Sequence, residues 1–533
     1  MKKMVSSKKY IQRIICLFIW AAIMAGSWSC NKKLDVDSTR VATEAASWDS
    51  YDDARGGLIG LYGLFRAAVA NNNAHWIYGE LRSGDFKAVT RPDLKAVIDG
   101  QLNASYRLID EASNWRKFYA MINASNVFIE NVAGCLADAR YTESYLNLDI
   151  AQARALRAFA YFYMVRIWGD VPLITTSGEG QNFPEITRTD KNAVLSFAES
   201  ELIAVASNLP YLYSVSGEDF KFPNNYYDYS QAEWGGRPFS RIAAYSILAH
   251  ISAWKEDYVN AAIYTEFIMN NYSKSRIATV STNTMVSSSN SGLFNRGTNG
   301  TDIYPIFSFS FIKQDGEATF NGHIEQLTLA NTPSFPMSKL LPDLYIPKTA
   351  IVDMFAHTNG KDERFGVDPT ATEEGSLLTN YFENYNAEIP VFKKIRIVDD
   401  GAATGMFAQF TSSLVFTRLE EIKLLRAEAL TVLGKYTDAT TLLNSVRTSR
   451  GLDNVLGTST DPEEIIKEIF KERRRELVGE GWHWYDLVRE NRLLKNNASF
   501  NELLTRDGIY WPLAQEVLNN NTTLVQNSYW LGR

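Results

Sequence analysis

Residues 153–173 run ARALRAFAYFYMVRIWGDVPL. Ala151, Ala155, Ala158, Phe159, Phe162 and Val165 recur at steps of three and four, the spacing that lines one side of a helix. The stretch therefore predicts a helix across Leu146–Ile167. The same period predicts helices over Ser50–Val69, Trp115–Cys135, Lys191–Ser207, Arg241–Trp254, Tyr258–Met269, Phe416–Leu433, Tyr436–Thr448 and Pro462–Val478. Strand-like runs are few, with Ile306–Ile312 and Val391–Ile397 the best candidates. The expected fold is mainly α with little β structure.

Two stretches read as helical hairpins in which small residues alternate with large ones. Arg241–Met269 carries Ala243, Ala244, Ala249 and Ala253, then Asp257-Tyr258 and Ala261-Ala262. Leu419–Val446 repeats the scheme with Ala427, Ala429, Gly434, Lys435-Tyr436 and Ala439. Small side chains let antiparallel helices approach closely, and the pattern resembles the tetratricopeptide repeat. Taken singly, each copy fits any packed α-hairpin equally well. One helix start is readable in detail: Asp461 caps, Pro462 suits the first helical position, and Glu464 stands where a capping box wants its acid. Gly56, Gly57, Gly60 and Gly63 fall inside the first helix and read as a face for close helix packing.

Between the helices lie long irregular segments at 210–236, 270–347 and 362–388. Structureless loops beyond about 15 residues are uncommon in compact domains unless they have a task. Loops on a rigid frame are where binding residues concentrate.

Composition narrows the classes. Of 533 residues, 45% are hydrophobic and 22% charged, which is globular rather than disordered or polytopic. Aromatic residues reach 13%; such rings fill cores and also stack on the apolar faces of sugars, and composition does not separate the two uses. The formal charge is −7 with no basic stripe, which argues against nucleic acid as a partner. The cysteines (Cys16, Cys30, Cys135) and the scattered histidines (His75, His250, His323, His357, His483) form no CxxC or HExxH arrangement. Neither a metal nor any other cofactor is expected.

The N-terminus reads as an address. Lys2, Lys3, Lys8, Lys9 and Arg13 precede the apolar run Ile14–Ala25, then Gly26-Ser27-Trp28-Ser29 and Cys30. This is a charged region, a short apolar region and a small-residue cleavage site. The run falls short of the about 20 residues that a membrane-spanning helix needs. A cysteine directly after such a site resembles a bacterial lipoprotein signal, in which its thiol takes diacylglycerol; the alternative is ordinary secretion with Cys30 a bystander. The expected division is 1–29 signal peptide, 30–46 lipidated cysteine and tether, and 47–533 one domain. Losing the five basic residues takes the formal charge from −7 to −12.

Several motifs then line up in order. Ala153–Tyr163 with Val165–Leu173 resembles the "EARxLRAxxYFxLVxx[FYW]GDVPL" hallmark of the SusD/RagB family, outer-membrane lipoproteins of the starch-utilisation type. Trp115, Tyr119, Ile122, Ala124 and Asn126 are similar to its "WxxxYxxIxxAN" helix. Arg418–Ile422 with Arg426–Ala429, continuing to Val446-Arg447, is similar to another of its helices. Glu472–Leu477, Glu480-Gly481 and Trp484–Arg489 resemble its C-terminal signature. The tail from Tyr510 to Asn527 matches less well, with Ser528 and Tyr529 in place of Pro-Gly. The resemblance covers nearly the whole mature chain. It implies a scaffold of about four tetratricopeptide-like helix pairs. It also implies a protein that captures a glycan on the cell surface, delivers it to a SusC-like TonB-dependent transporter and performs no chemistry.

Sugar sites combine a ring platform with Asn, Asp or Arg groups that bond hydroxyls in pairs. Residues 71–86 offer Trp76, Arg82 and Asp85. The next loop offers Tyr226, Tyr227, Tyr229 and Trp234 beside Asn224 and Asn225, and the third offers Asn321 with His323 and Glu325. Each ring serves as readily to pin its own loop to the scaffold. Arg154, Arg157, Asp170, Arg473, Glu476, Glu480, Asp486 and Arg489 look catalytic, yet the spacings of three and four among them suit ion pairs on a helix face. No GxSxG elbow, P-loop or dinucleotide fingerprint is present. A glycosidase needs two carboxylates about 5 to 9.5 Å apart, and nothing flags such a pair. The expected class is a binding protein, not an enzyme. The alternatives are a secreted lipoprotein glycoside hydrolase, a binder of another nutrient such as peptide, and a repeat adaptor that binds only protein.

Overall fold

The long helices in the computed structural model are α1 (Tyr51–Ala70), α2 (Arg116–Asn131), α3 (Glu143–Trp168), α4 (Lys191–Val205), α5 (Arg241–Trp254), α6 (Tyr258–Asn271), α7 (Leu419–Val432), α8 (Tyr436–Thr448), α9 (Pro462–Leu477) and α10 (His483–Leu494). The structure describes residues 48–532 except 179–184, 214–221, 224, 235, 296–304, 357, 359, 367–379 and 401–407. Residues 1–47, and with them the signal segment and Cys30, lie outside the described residues, as do Asn224 and His357. Residues 50–533 form one unit.

The helix starts follow from their caps. Ser50 accepts the N–H of Asp53 while Asp53 accepts that of Ser50, a complete capping box. Ser240 and Asp257 cap α5 and α6 by accepting the N–H groups of Ala243 and Asn260. Asp461 caps α9 through the N–H of Glu463, but Glu464 turns to the Ser459 hydroxyl at 2.6 Å instead of closing the expected box.

Each helix packs on the next along the chain, and α9 lies against α7, so the helices form one continuous stack. The two hairpins expected from the alanine pattern are α5–α6 and α7–α8; Ala243, Ala244, Ala249, Ala261, Ala427, Ala429 and Ala439 are all buried between helices. The tetratricopeptide-like scaffold is thus present. Helix α3 is its axis. From Ala151 to Trp168 only Arg154 escapes burial, so the expected one-sided stripe is just part of a helix enclosed on every side. Phe159 meets Phe65, Phe239, Phe307 and Phe416 at ring centroid distances of 4.9, 6.0, 5.5 and 4.5 Å. Much of the aromatic content is therefore core.

Among the described residues the strands are short: β1 (Lys87–Ala88), β2 (Phe307–Phe309), β3 (Leu344–Tyr345), β4 (Phe382–Glu383), β5 (Val391–Phe392), β6 (Val398–Asp400), β7 (Gln409–Phe410) and β8 (Leu414–Thr417). They pair as antiparallel ribbons β1–β3, β2–β8, β4–β5 and β6–β7. The strand expected over Val391–Ile397 stops at Phe392, and Lys394 beyond it donates to the carbonyls of Glu476 and Val478.

The charged C-terminal signature is buried structure. Glu476 accepts from Arg364, Arg418 and Arg450 at 2.8, 2.7 and 2.7 Å. Arg473 bonds Glu421 and Asp486, and Arg489 bonds Asp486 and Glu428. Glu480 lies between Lys394 and Arg418. Buried charges persist only when paired and hydrogen-bonded, and here each has several partners. Arg154 and Arg157 share Glu201 in the same manner, and Asp170 accepts the Lys191 N–H at the start of α4. No helix of the described residues is long and apolar enough to cross a membrane.

Candidate ligand-binding cavity

The glycines of α1 do not seat another helix. A Cβ built on Gly56, Gly60 or Gly63 meets no atom within 4 Å, so this face is open, and Gly63 looks onto a cavity of about 360 Å³. Tyr62 and Arg66 of α1 and Gln152 of α3 line one side of it, and Tyr229, Trp234 and Arg237 another. Ser308–Ser310, Ile312, Asp315 and Glu317 complete the wall.

The loop that brings Tyr229 and Trp234 to the rim is clasped from below. Asp149 of α3 accepts three tyrosine hydroxyls: Tyr226 on Oδ1, and Tyr141 at 2.9 Å and Tyr227 at 2.5 Å on Oδ2. Burial pushes its carboxyl up to about 7, while the three hydroxyls pull the other way. Tyr227 sits at φ 52°, between Asn225 at 49° and Asp228 at 63°. A bulky residue in the left-handed region is strained and persists only where its surroundings fix it. A relay completes the clasp. The Phe239 N–H donates to the Tyr62 hydroxyl (2.8 Å), which donates to Gln152 Oε1 (2.9 Å). Gln152 Nε2 donates in turn to the Tyr226 hydroxyl (2.7 Å). The Trp234 indole N–H donates to the Tyr226 carbonyl at 2.8 Å, and its ring meets Tyr229 edge-on at 5.0 Å. Arg55 donates to the Tyr229 hydroxyl at 2.7 Å.

The polar wall is equally fixed. Arg66 donates to the Ser310 carbonyl and to Glu317, both at 2.6 Å, and Glu317 also accepts the Ile312 N–H at 2.8 Å. Arg237 donates to the Glu233 carbonyl at 2.5 Å, and burial lowers its pKa. Hydrogen bonds from Ser230 hold the Glu233 carboxyl below its ordinary range. Half-buried rings beside amide, hydroxyl and guanidinium groups suit a polyhydroxylated ligand with apolar faces. Among the described residues no group of three His, Cys, Asp or Glu side chains is arranged to hold a metal ion.

Of the residues singled out in the sequence, Tyr229 and Trp234 line this cavity. Tyr226 and Tyr227 do not line it: they are 1% and 0% exposed and serve the clasp. Trp76, Arg82 and Asp85 are a second correction. Trp76 is 3% exposed, its indole N–H given to the Gly479 carbonyl at 2.9 Å. Glu80 accepts the N–H groups of Gly479 and Gly481, and a Cβ on Gly79 would lie 1.9 Å from the Gly481 carbonyl oxygen. Arg82 donates to the carbonyls of Gly508 and Ile509 over the Trp484 ring, and Asp85 pairs with Arg474 and His483. Ring, guanidinium and carboxylate together also suit a buried strap, and residues 75–85 are one, holding the C-terminal part of the domain. Asn321 is exposed at a separate hollow. Close by, His323 and Glu325 are buried, both bonded to the Ser412 hydroxyl. Tyr62, Arg66, Gln152 and Glu317 were missed in the sequence. For Tyr62 and Arg66 the one sequence signal is the glycine run of α1; for Gln152 and Glu317 the sequence carries none.

Comparison with known proteins agrees with this fold. Residues 251–530 match the SusD family, and residues 94–217 match the family described as starch-binding and associating with the outer membrane. A SusD superfamily protein of Bacteroides thetaiotaomicron superposes with a TM-score of 0.80 at 44% identity, over 91% of this chain and 99% of its own. SusD-like protein P38 of Formosa agariphila is 26% identical over 94% of this chain and 95% of its own length. A laminarin-binding SusD-like protein shares the fold at a TM-score of 0.66 and 19% identity, over 90% of this chain and 99% of its own. A surface glycan-binding protein A of Bacteroides uniformis does so at 0.65 and 20%, with the same coverage. The chain belongs to the SusD/RagB family.

Proposed function

We propose that this chain is a cell-surface glycan-binding protein that captures an oligosaccharide in the cavity beside α1 and passes it, unaltered, to a SusC-like TonB-dependent transporter. The observation that carries this reading is the cavity itself. Tyr229 and Trp234 are held in place from below, facing Gly63, Arg66 and Gln152 in a space of about 360 Å³. That combination orients sugar hydroxyls and stacks on sugar faces. Family membership and the two glycan-binding relatives support the ligand class.

Capture without chemistry is supported by the state of two of the acids that line the cavity. Glu317 is spent on Arg66 and the Ile312 N–H, and Glu233 is held below its ordinary range, whereas a general acid needs a raised pKa. A lipid on Cys30 would anchor the chain in the outer membrane, the usual station of the family. Radiolabelled palmitate should enter the wild type and not Cys30→Ser. The binding claim is tested by calorimetry of the chain from Asn31 onward against a panel of soluble glycans, recovering the ligand afterwards. One glycan class should bind and return intact. A cleaved ligand would favour the hydrolase reading, and failure of every glycan would favour peptide or another nutrient.

A further inference from the structure

Three carboxylates line the cavity beside α1, and two of them are already engaged. Glu317 accepts from Arg66 and from the Ile312 N–H, and Glu233 accepts the Ser230 N–H at 2.7 Å. Asp315 is exposed, and among the described residues no hydrogen bond or ion pair reaches its carboxylate. The backbone beneath it is nonetheless fixed. The Ile312 carbonyl accepts the N–H groups of Asp315 and Glu317 at 3.2 and 3.1 Å, and Gly316, at φ 73°, makes the reversal between them.

Two cations line the same cavity, and both have partners. Arg66 donates to the Ser310 carbonyl and to Glu317. Arg237 donates to the Glu233 carbonyl at 2.5 Å, and burial lowers its pKa against the attraction of Glu317, Asp315 and Glu233. It therefore lies within electrostatic reach of both the turn that carries Asp315 and the loop that carries Trp234. Lys313, two residues before Asp315, is turned to the Asp399 carbonyl. Two guanidiniums thus stand among three carboxylates, and the carboxylate with lone pairs to spare is left for a ligand that brings hydrogen-bond donors and no negative charge. A carboxylate only accepts, through two oxygens set side by side. Two hydroxyls on adjacent carbons of a sugar ring offer a matching pair of donors, and hydrogen bonds to a charged acceptor are the strong ones. Tyr229 and Trp234 supply the apolar surface for that ring in the same cavity.

We propose that Asp315 sets the ligand specificity of this cavity: its carboxylate accepts two adjacent free hydroxyls of one sugar ring, and so selects an uncharged glycan whose bound unit carries an unsubstituted vicinal diol. The inference rests on the glycan-binding reading above and adds the class of glycan and the group that reads it. A ring substituted at either hydroxyl gives up one of the two bonds. A carboxylated or sulfated ring brings a negative charge to a carboxylate that no described residue pairs.

The test is calorimetry of the chain from Asn31 with uncharged gluco-, xylo-, manno- and galacto-oligosaccharides. Deoxy analogues of the series that binds, and its carboxylated and sulfated counterparts, follow. Wild-type affinity should fall about tenfold or more when either hydroxyl of one adjacent pair is removed, and likewise for each charged counterpart. Asp315→Ala should lose at least as much on the parent sugar and nothing further on the deoxy analogue, the mark of a direct contact. Asp315→Asn, which keeps the shape and drops the charge, should narrow the gap between neutral and charged chains. Asp315 gives up no side-chain bond, so both variants should unfold within about 1 °C of the wild type. Binding that is lost in Trp234→Ala but unchanged in Asp315→Ala overturns the assignment and leaves the glycan reading standing. Tighter wild-type binding of a carboxylated or sulfated chain than of its neutral counterpart also overturns it. If the wild type binds no series at all, the glycan reading itself fails and the assignment falls with it.

Discussion

Replacing Asp149 with Ala tests whether the loop carrying Tyr229 and Trp234 is held from beneath. The carboxylate accepts the hydroxyls of Tyr141, Tyr226 and Tyr227, all buried, and the variant strands all three. A buried donor without a partner costs about 1–3 kcal/mol. A water bound in the vacated polar space would lower the cost toward the bottom of that range. The expected destabilisation is therefore about 3 kcal/mol. With an unfolding entropy of roughly 2.1 cal/mol/K per residue, a domain of this length loses about 3 °C in Tm. The local effect should be larger than the global one. The left-handed conformation of Tyr227 stores about 1–2 kcal/mol, which is released once its hydroxyl is no longer held. Hydrogen exchange should accelerate about tenfold or more at amides 225–239, well beyond any change in the α7–α8 hairpin. Asp149→Asn keeps one acceptor and the side-chain shape and should cost less. A Tm within about 1 °C of the wild type, together with unchanged exchange at 225–239, would refute the clasp.

Three further expectations come from the same contacts. Glu476→Ala leaves Arg364, Arg418 and Arg450 without their shared acceptor and should cost about 3–5 kcal/mol in urea unfolding, and a loss below about 1 kcal/mol would contradict the buried-network account. Gly60→Ala, placed in open space on a helix, should stabilise by about 0.5–1 kcal/mol, while Gly79→Ala, pressed against the Gly481 carbonyl, should destabilise by about 1–3 kcal/mol or more; matched unfolding curves check the opposite signs. Burial pushes Glu325 up to about 7, so between pH about 4 and 7 the folded chain keeps a proton that the unfolded chain has released, and the stability from this group is present at pH 4 and lost as pH rises through 7. Glu325→Gln should accordingly gain on the wild type across that window, and a gap between the two that does not move with pH would sink the assignment.

Helix was legible wherever the three-and-four period was long, because burial of one side is written locally. Arg241–Trp254 and Tyr436–Thr448 match their expected bounds, the other expected helices differ by a few positions at their ends, and α10 (His483–Leu494) is a helix that the period did not predict. What the period could not reveal was that α3 is buried all round, since a second and third covering layer comes from residues far along the chain, such as Phe307 and Phe416. The same limit governs the site. Trp76 and Trp234 look alike in sequence, each an indole near polar neighbours. The first is enclosed because Gly479–Gly481 folds over it from the other end of the chain. The second stays half-open on a cavity whose α1 side includes Gly63, with no side chain there to fill it. The glycine face was visible but ambiguous: small residues at helical spacing allow either a close helix or an open floor, and only the tertiary arrangement decides. The spacing of three and four in the charged signature of α9 and α10 points to ion pairs, and ion pairs form, but only Arg475–Glu472 and Arg489–Asp486 are local; others reach Arg364, Arg418, Glu421, Glu428 and Arg450, partners that no local spacing names.

The most direct test of glycan capture at this cavity compares the wild type with Trp234→Ala in calorimetry against the glycan panel, with circular dichroism to verify the fold and chromatography of the recovered ligand. One glycan class should bind the wild type and return uncleaved, and the Trp234→Ala variant should stay folded with affinity reduced about tenfold or more. Equal binding by the variant would place the ligand elsewhere, and a shortened ligand would contradict the account outright.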